Sequence, residues 1–200
     1  MIKILVVEDQ ALVRGAICSL LSLEDDIEIV GQAENGQAAL DMLNTINVDF
    51  ILSDIEMPVM SGLELAEIVH AQHKHIDMLI MTTFSKSGYI KRAMMLGVKA
   101  FILKEAPTEY LVNAIKKVQN GQRVIDPELA LMALDDNDPL SNKERKAIKL
   151  AGDGLKTAEI AKALFLSEGT VRNYLSEAIS KLNAANRVDA ARIAKQKGWI

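Results

Sequence analysis

Five polar side chains each stand where an apolar run of the sequence ends, which is where a parallel sheet gathers its functional groups. They are Glu8, Asp9, Asp54, Thr82 and Lys104. Three carboxylates brought together repel one another unless a cation lies between them, and an all-oxygen cluster beside solvent suits Mg²⁺. The backbone carbonyl of Glu56 could supply a further oxygen. The set predicts Mg²⁺-assisted phosphoryl chemistry, in which Lys104 pairs with a phosphoryl oxygen and Asp54 is the attacking carboxylate.

Each of these residues also has an ordinary structural interpretation. Acids at strand ends often cap the following helix, a lysine after a strand is usually solvated, and a threonine favours a strand end. Their joint occurrence after four of five predicted strands favours a shared site. Two uses of that site stay open: regulatory phosphorylation of Asp54, or a Mg²⁺-dependent phosphohydrolase in which Asp54 is a transient nucleophile and Glu56 protonates the leaving group.

Apolar runs and helical spacings alternate along the part of the chain that carries these residues. Strands are predicted at residues 2–7, 27–33, 48–53, 78–81 and 100–103, and helices at residues 11–23, 38–43, 63–73, 88–96 and 108–119. Five strands alternating with five helices require parallel pairing through helical crossovers, hence an α/β fold with a doubly wound five-stranded parallel sheet. The ends of these strands then face one rim of the sheet.

Motifs at the strand ends resemble the receiver domain of two-component response regulators. They are Val7-Glu8-Asp9, Glu34-Asn35-Gly36, Asp54-Ile55-Glu56-Met57-Pro58 with Gly62, Met81-Thr82, and residues 96–104. The resemblance implies a flavodoxin-like sheet of strand order 2-1-3-4-5.

The same resemblance implies roles for individual residues. Asp54 would accept a phosphoryl group from a sensor histidine kinase, and Mg²⁺ would be bound at the acidic cluster. The implied metal site is Glu8, Asp9, Asp54 and Glu56. Thr82 and Lys104 would contact the phosphoryl oxygens, and Phe101 matches the aromatic switch residue. Glu105 departs from the family, in which proline commonly follows this lysine.

Charge divides the sequence into three segments. Residues 1–123 carry 11 Lys and Arg against 16 Asp and Glu, residues 124–138 carry none against 5, and residues 139–200 carry 12 against 6. The segments therefore carry −5, −5 and +6, within a formal net charge of −4. We predict a first domain at residues 1–121, an acidic linker at 122–138 with a short helix allowed at 128–134, and a basic domain at 139–200 with an anionic partner.

The basic segment changes character and predicts an all-α domain. Four short helices are expected at residues 141–150, 157–164, 168–182 and 186–198. An apolar stripe on the third helix would pack inward, leaving a polar face for the major groove of double-stranded DNA. That face carries Thr170, Arg172, Asn173, Ser176 and Lys181. The structural alternative is a small helical bundle with a solvated basic face.

Residue detail across this segment is similar to the LuxR-type four-helix, helix-turn-helix domain of NarL and FixJ regulators. The matching residues include Leu140-Ser141, Glu144, Gly154, Glu159-Ile160-Ala161, Leu166-Ser167, Thr170-Val171-Arg172, Lys181-Leu182 and Arg187. The resemblance adds Arg187 to the expected DNA-binding residues. Two positions depart from the family: Asn142-Lys143 replaces a residue followed by arginine, and Tyr174 replaces a frequent histidine.

DNA-binding domains of this size usually act in two copies on a two-fold related site, so a homodimer is expected after phosphorylation. The first predicted helix holds more apolar surface than one inward stripe uses, and the last helix of the first domain adds apolar residues outside its stripe. The predicted pairing residues are Leu12, Ala16, Tyr110 and Val112. The alternative is that these helices simply serve a wide core.

The sequence therefore predicts a bacterial two-component response regulator, in which phosphorylation of Asp54 promotes dimerisation and sequence-specific DNA binding to control transcription. The phosphohydrolase, and a regulator that binds DNA without using phosphate, are the alternatives. No segment approaches the roughly 18 apolar residues of a membrane span, so a cytoplasmic protein without a membrane partner is expected. The single Cys18 is expected to be an apolar filler.

Overall fold

A computed structural model describes residues 1–83, 86–134 and 138–200. The contacts between residues divide the chain into two compact units, an N-terminal α/β unit and a C-terminal helical unit. None of the helices in the described ranges is long and apolar enough to cross a bilayer.

The N-terminal unit is built on a parallel sheet. Within the described residues its strands are β1 (Ile2–Val7), β2 (Ile27–Ala33), β3 (Phe50–Asp54), β4 (Asp77–Thr82), β5 (Ala100–Leu103) and β6 (Val124–Ile125). They pair in the order β2-β1-β3-β4-β5-β6, and every pair is parallel. The predicted doubly wound sheet is confirmed, and a sixth strand extends it beyond β5.

Helices connect these strands and carry the chain beyond the last one. They are α1 (Ala11–Leu21), α2 (Gly36–Leu43), α3 (Gly62–Gln72), α4 (Ser87–Met95), α5 (Thr108–Gln119) and α6 (Pro127–Leu134). Their starts follow local chemistry: the Asn35 side chain accepts a hydrogen bond from the Ala38 amide, and Ser61 and Glu64 form a reciprocal capping box. Helix bounds predicted from the sequence differ from these by two residues or fewer.

The central strands are apolar because helices cover the sheet on both faces. All five residues of β3 are buried, and Ile4, Phe50 and Leu79 are fully enclosed in the core. Parallel sheets of this kind bury both faces of each strand, so side chains of both alternating sets are apolar. The core thus fixes β3 rigidly up to its last residue, Asp54.

The expected linker at residues 122–138 is more ordered than its composition suggested. Val124–Ile125 forms β6, whose Val124 amide donates to the carbonyl of Lys99 (2.9 Å). The Asp126 amide donates to the carbonyl of Phe101 (3.0 Å), and its side chain accepts from the Glu128 amide at the start of α6. The short helix allowed here exists, and residues 135–137 lie outside the described residues. Two apolar residues were too weak a signal for a strand.

The C-terminal unit contains α7 (Asn142–Gly152), α8 (Thr157–Leu164), α9 (Glu168–Lys181) and α10 (Arg187–Lys197). Small and aliphatic side chains form its core, among them Ile148, Ile160, Val171 and Leu175. The hydroxyl of Ser167 caps α9 by accepting from the Thr170 amide, as expected from the sequence. The four predicted helices are confirmed, and α8 and α9 are joined by a tight turn in which Phe165 has a φ of 56°.

Candidate functional site

The acidic residues converge because their strands are neighbours. Asp54 is the last residue of β3, and Glu8 and Asp9 directly follow β1. In the parallel register Val7 lies opposite Ser53, so both strands end at the same level of the sheet. Oxygen atoms of Glu8, Asp9 and Asp54 lie within 4.8 Å of one another. The sequence expectation that these three carboxylates meet at one rim agrees with this geometry.

The loop after Asp54 is closed too tightly to admit a side chain at Gly62. A Cβ atom there would lie 2.0 Å from the Asp54 carbonyl oxygen. The Gly62 amide donates to the Ile55 carbonyl (2.9 Å), and the Ser53 hydroxyl donates to the Asp54 carbonyl (2.8 Å). These contacts fix the backbone on which the Asp54 carboxylate is mounted.

Lys104 links two of the carboxylates. Its Nζ lies 2.7 Å from Oε2 of Glu8 and 3.0 Å from Oδ2 of Asp54. The other oxygen of Asp54, Oδ1, accepts a hydrogen bond from the Ile55 amide (2.7 Å). Both oxygens of Asp54 are therefore held in place, and the side chain of this residue is only 10% exposed. An oriented carboxylate beside a lysine ammonium is suited to phosphoryl transfer.

The balance of charge in the site remains negative. Burial raises the pKa of Asp54 and of Glu8, although the hydrogen bonds from Lys104 act in the opposite direction. Burial by itself would lower the pKa of Lys104, but hydrogen bonds to Glu8 and Asp54 outweigh it and raise this pKa. One ammonium thus serves two desolvated carboxylates, with Asp9 beside them. This donor set fits Mg²⁺, a hard cation that takes carboxylate oxygens and keeps several waters.

The other residues expected at this site lie on β4, on β5 and in the loop after β3. Thr82 is buried at the end of β4, and its carbonyl accepts from the Lys104 amide (2.8 Å). Phe101 is 1% exposed and lies opposite Ile80 in the sheet. Glu56 is exposed in the loop after β3. Its expected carbonyl contribution to a metal site stays a prediction.

Sequence reasoning missed one residue that shapes this site. The guanidinium of Arg14 on α1 donates to the Glu8 carbonyl (2.5 Å) and so ties the loop after β1 to the following helix. The Gln10 amide adds a hydrogen bond to the Glu8 side chain (3.3 Å). A lysine or arginine one turn into the first helix was the available signal, but a lone basic residue on a helix is usually solvated.

The polar face of α9 lies opposite its buried stripe. Val171, Leu175 and Ala178 face the core of the C-terminal unit. The residues expected to bind DNA lie outside this stripe: Arg172, Asn173 and Ser176 are exposed, whereas Thr170 and Arg187 are half-buried. Tyr174 packs against the hydrophobic core. Helix α9 therefore presents a polar surface of the kind that enters a major groove.

Two of these side chains are held by near neighbours in the sequence, one on α9 and one at its N-cap. The Arg172 guanidinium lies 3.0 Å from Oε2 of Glu168, and the hydroxyls of Thr170 and Ser167 are 2.9 Å apart. Lys181 is bound differently. Its ammonium lies 2.8 Å from both carboxylate oxygens of Glu144, a buried residue of α7. To contact DNA directly, as expected from the sequence, the Lys181 ammonium would have to leave the Glu144 carboxylate.

The apolar side chains expected to mediate pairing are exposed on α1, whereas on α5 one of them is half-buried and one is buried. Leu12 is 87% exposed and Leu20 is 41% exposed, and Ala16 between them is also exposed. Tyr110 is half-buried against the core. The prediction that Val112 lies outside the buried stripe of α5 is wrong, because this residue is 7% exposed and belongs to the hydrophobic core.

Comparison with known families assigns both parts of the chain. Residues 4–116 match the response regulator receiver domain, and residues 138–194 match the bacterial regulatory proteins of the luxR family. The chain belongs to the response regulators. This response regulator thus combines a receiver domain with a LuxR-type DNA-binding domain, as the sequence predicted.

Curated relatives and solved structures agree with that placement. The response regulator is 44% identical to the transcriptional regulatory protein YvfU and 43% identical to DesR, both of Bacillus subtilis, over the full length of each chain. It is 30% identical to the response regulator ChrA of a heme-sensing two-component system, with a TM-score of 0.56 and coverage of 100% and 98%. The RcsB–DNA complex has a TM-score of 0.67 at 20% identity, covers 98% of both chains and supports the fold alone.

The phosphohydrolase alternative is not favoured. The second domain matches a DNA-binding family, and the relatives that span the whole chain are transcriptional regulatory proteins.

Proposed function

We propose that Asp54 accepts a phosphoryl group from a sensor histidine kinase and that the phosphorylated regulator binds a two-fold related site on double-stranded DNA to control transcription. The observation that carries this proposal is the joint contact of Lys104 with Glu8 and Asp54 at the rim of the receiver sheet. The carboxylate of Asp54 attacks phosphorus, an aspartyl phosphate forms, and the bond to the donor histidine nitrogen breaks with its electron pair on nitrogen.

The residues of the site would have different roles in this phosphoryl transfer. Glu8, Asp9 and Asp54 would hold Mg²⁺, with the Glu56 carbonyl as a further ligand, and the ion would offset the charge that develops on the phosphoryl oxygens. Lys104 already contacts Asp54 and pairs with one phosphoryl oxygen after transfer. Thr82, buried at the end of the neighbouring strand, offers a hydroxyl to another, and Phe101 responds as the aromatic switch.

The output lies in the helical domain. Helix α9 enters the major groove, where Arg172 and Asn173 read base edges and Thr170 and Ser176 contact bases or phosphates. Arg187, at the start of α10, neutralises a backbone phosphate. We place the receiver at residues 1–121, the linker with its ordered β6 and α6 at 122–138, and the DNA-binding domain at 139–200. A DNA target implies a cytoplasmic location.

Pairing of two receivers brings two DNA-binding domains onto one site. The exposed apolar stripe of α1, which we define as Leu12, Ala16 and Leu20, supplies a surface that a second copy can bury in a two-fold contact. Tyr110 of α5 is half-buried and contributes only its exposed edge.

The proposal is tested by gel shift on genomic promoter fragments, with and without a small-molecule phosphoryl donor, for wild type and Asp54→Asn. The donor is expected to lower the protein concentration needed for half-maximal shift of the wild type and to leave Asp54→Asn unchanged. Arg172→Ala is the control for the DNA contact, with an expected loss of about 1–3 kcal/mol in binding. Equal DNA binding of wild type and Asp54→Asn in all four conditions would overturn the phosphorylation switch.

A further inference from the structure

Lys181 ends α9 and is held by a carboxylate from another helix. Its Nζ lies 2.8 Å from Oε1 and 2.8 Å from Oε2 of Glu144, which stands 37 positions earlier in the chain. The Glu144 side chain is 3% exposed, whereas that of Lys181 is 40% exposed. The ammonium therefore reaches inward from the domain surface to a buried acid.

Glu144 is also part of the start of α7. Its Oε2 accepts from the Ser141 amide (2.8 Å), while the Glu144 amide donates to the Ser141 hydroxyl (3.3 Å). Burial alone would raise the pKa of Glu144, but hydrogen bonds with Lys181, with the Ser141 amide and with the Glu177 side chain outweigh it and lower this pKa. Glu144 is thus held in place at the start of α7, and Lys181 ties the C-terminal end of α9 to the N-terminal end of α7.

We propose that Lys181 is a positioning residue, which together with Glu144 sets the placement of α9 in the DNA-binding domain, and that it does not neutralise a DNA phosphate. This inference rests on the proposed DNA-binding function of α9. The buried stripe of Val171, Leu175 and Ala178 holds the middle of the helix by apolar contacts, which tolerate small sliding. A two-oxygen contact at the helix end is directional, so it fixes the level at which Arg172 and Asn173 project.

The two roles predict opposite effects for the acid. If Lys181 were a phosphate contact, removing the nearby negative charge of Glu144 would leave DNA affinity unchanged or increase it, because the domain would become more positive. If the pair positions α9, Glu144→Gln weakens DNA binding although the net positive charge of the domain rises. Lys181→Gln weakens binding in either case and is informative through its salt dependence.

The test uses the full-length protein and a DNA duplex selected from a random-sequence library by the phosphorylated wild type. Binding is measured by fluorescence anisotropy over a series of salt concentrations for Lys181→Gln, Glu144→Gln, the double variant and Lys181→Arg. We expect both single variants to lose about ten-fold in affinity. The slope of log affinity against log salt should stay at the wild-type value. The double variant should lose no more than either single variant, and Lys181→Arg should restore most of the affinity.

Arg187→Gln is the matched control, because it removes one cation that we place on a phosphate. Its salt slope should become shallower by about 0.9, the value for one lost phosphate contact on B-DNA. Folding of each variant is checked by its thermal midpoint and helical circular dichroism, and the binding temperature is set below all midpoints. Since the double variant replaces an ion pair by a neutral amide pair, it keeps the comparison valid if a single variant unfolds.

The positioning role is overturned if Lys181→Gln makes the salt slope shallower by about one while Glu144→Gln binds as well as the wild type or better. Independent, additive losses in the double variant overturn it as well. These outcomes leave DNA binding by the wild type intact. A wild type from which no duplex can be selected overturns the proposed DNA-binding function itself, so the two failures are distinguishable.

Discussion

At the scale of single residues, the proposed phosphoacceptor site has an excess of buried negative charge. Lys104 contacts Glu8 and Asp54 together, so neither carboxylate has an ammonium of its own. Burial raises the pKa of both acids, as expected of a site that would bind a cation and a phosphoryl group under the proposed function. Sites that bind charged ligands commonly carry such perturbed groups.

This charge predicts that Asp54→Asn stabilises the receiver at neutral pH in the absence of divalent cations. Because the pKa of Asp54 is raised in the folded protein, the unfolded chain releases this proton first as pH rises, and folding stability falls from pH about 4 upward. Asparagine removes that loss. The thermal midpoint, measured in EDTA, should therefore be higher for the variant at pH 7.5, and the difference should vanish toward pH about 4.

Asp41→Asn is the control for this experiment, since Asp41 is an exposed carboxylate on α2 and its replacement removes the same formal charge. If the thermal midpoint of Asp54→Asn exceeded that of the wild type by the same amount down to pH about 4, desolvation of the Asp54 carboxylate would not be the explanation.

At the scale of elements, the helices of the receiver differ in how much apolar surface they leave uncovered. On α5 the apolar stripe packs into the hydrophobic core, which includes Leu111, Val112 and Ile115. On α1 the core takes Ile17, Cys18 and Leu21, while Leu12 and Leu20 remain exposed. Cys18 is thus the apolar filler that the sequence predicted. The α1 stripe is the better candidate for pairing.

Leu12→Asp is predicted to prevent pairing of the phosphorylated protein. Burial of a leucine side chain stabilises a contact by about 1.5–3 kcal/mol, and a two-fold dimer contains each residue twice, so pairing should weaken at least about a hundred-fold. Sedimentation with the phosphoryl mimic beryllofluoride measures this. Met95→Asp, at an exposed apolar position of α4, is the control. Unchanged dimerisation of Leu12→Asp would exclude α1 as the interface.

A second element, β6, makes part of the linker continuous with the sheet. The amides of Val124 and Asp126 donate to carbonyls of Lys99 and Phe101, whereas the amide of Ile125 points to the outer side of this edge strand. Hydrogen exchange should therefore alternate, with Val124 and Asp126 slower than Ile125 by at least about ten-fold, or about 1.4 kcal/mol in opening free energy. Equal, fast exchange of all three amides would show that β6 is not formed in solution.

At the scale of the whole molecule, charge and function are divided between an acidic receiver and a basic DNA-binding domain within a net charge of −4. Phosphorylation can shift the protein toward a DNA-binding state only if that state has a higher affinity for the phosphoryl group than the resting state. The two domains should then be separable by mutation. Residues of the receiver site should control dimerisation in response to phosphorylation, and residues of the DNA-binding domain should control the affinity for DNA.

We predict opposite phenotypes for Asp54→Asn and Arg172→Ala. With beryllofluoride and Mg²⁺, Arg172→Ala should dimerise like the wild type but bind DNA more weakly by about 1–3 kcal/mol. Asp54→Asn should neither dimerise nor gain affinity, yet should keep the basal DNA binding of the unphosphorylated wild type. Sedimentation and gel shift on the same samples measure both properties. Loss of dimerisation in Arg172→Ala would contradict independent roles of the two domains.

The sequence by itself determined the local chemistry of this protein. Apolar periodicity predicted the elements, and capping residues such as Ser61 and Ser167 set helix starts, because these signals act between residues a few positions apart. The acids and lysine at strand ends predicted a phosphoryl site, because parallel topology brings strand ends together.

Only the tertiary structure decided which partners these residues have. The choice of Glu144 by Lys181, the sharing of Lys104 between Glu8 and Asp54, and the burial of Val112 depend on how separate elements pack. The pairing of β6 with β5 is another such case, since two apolar residues become a strand only beside an open sheet edge. Packing and desolvation decide which residues distant in sequence become partners, and neither can be inferred from the spacing of residue types along the chain.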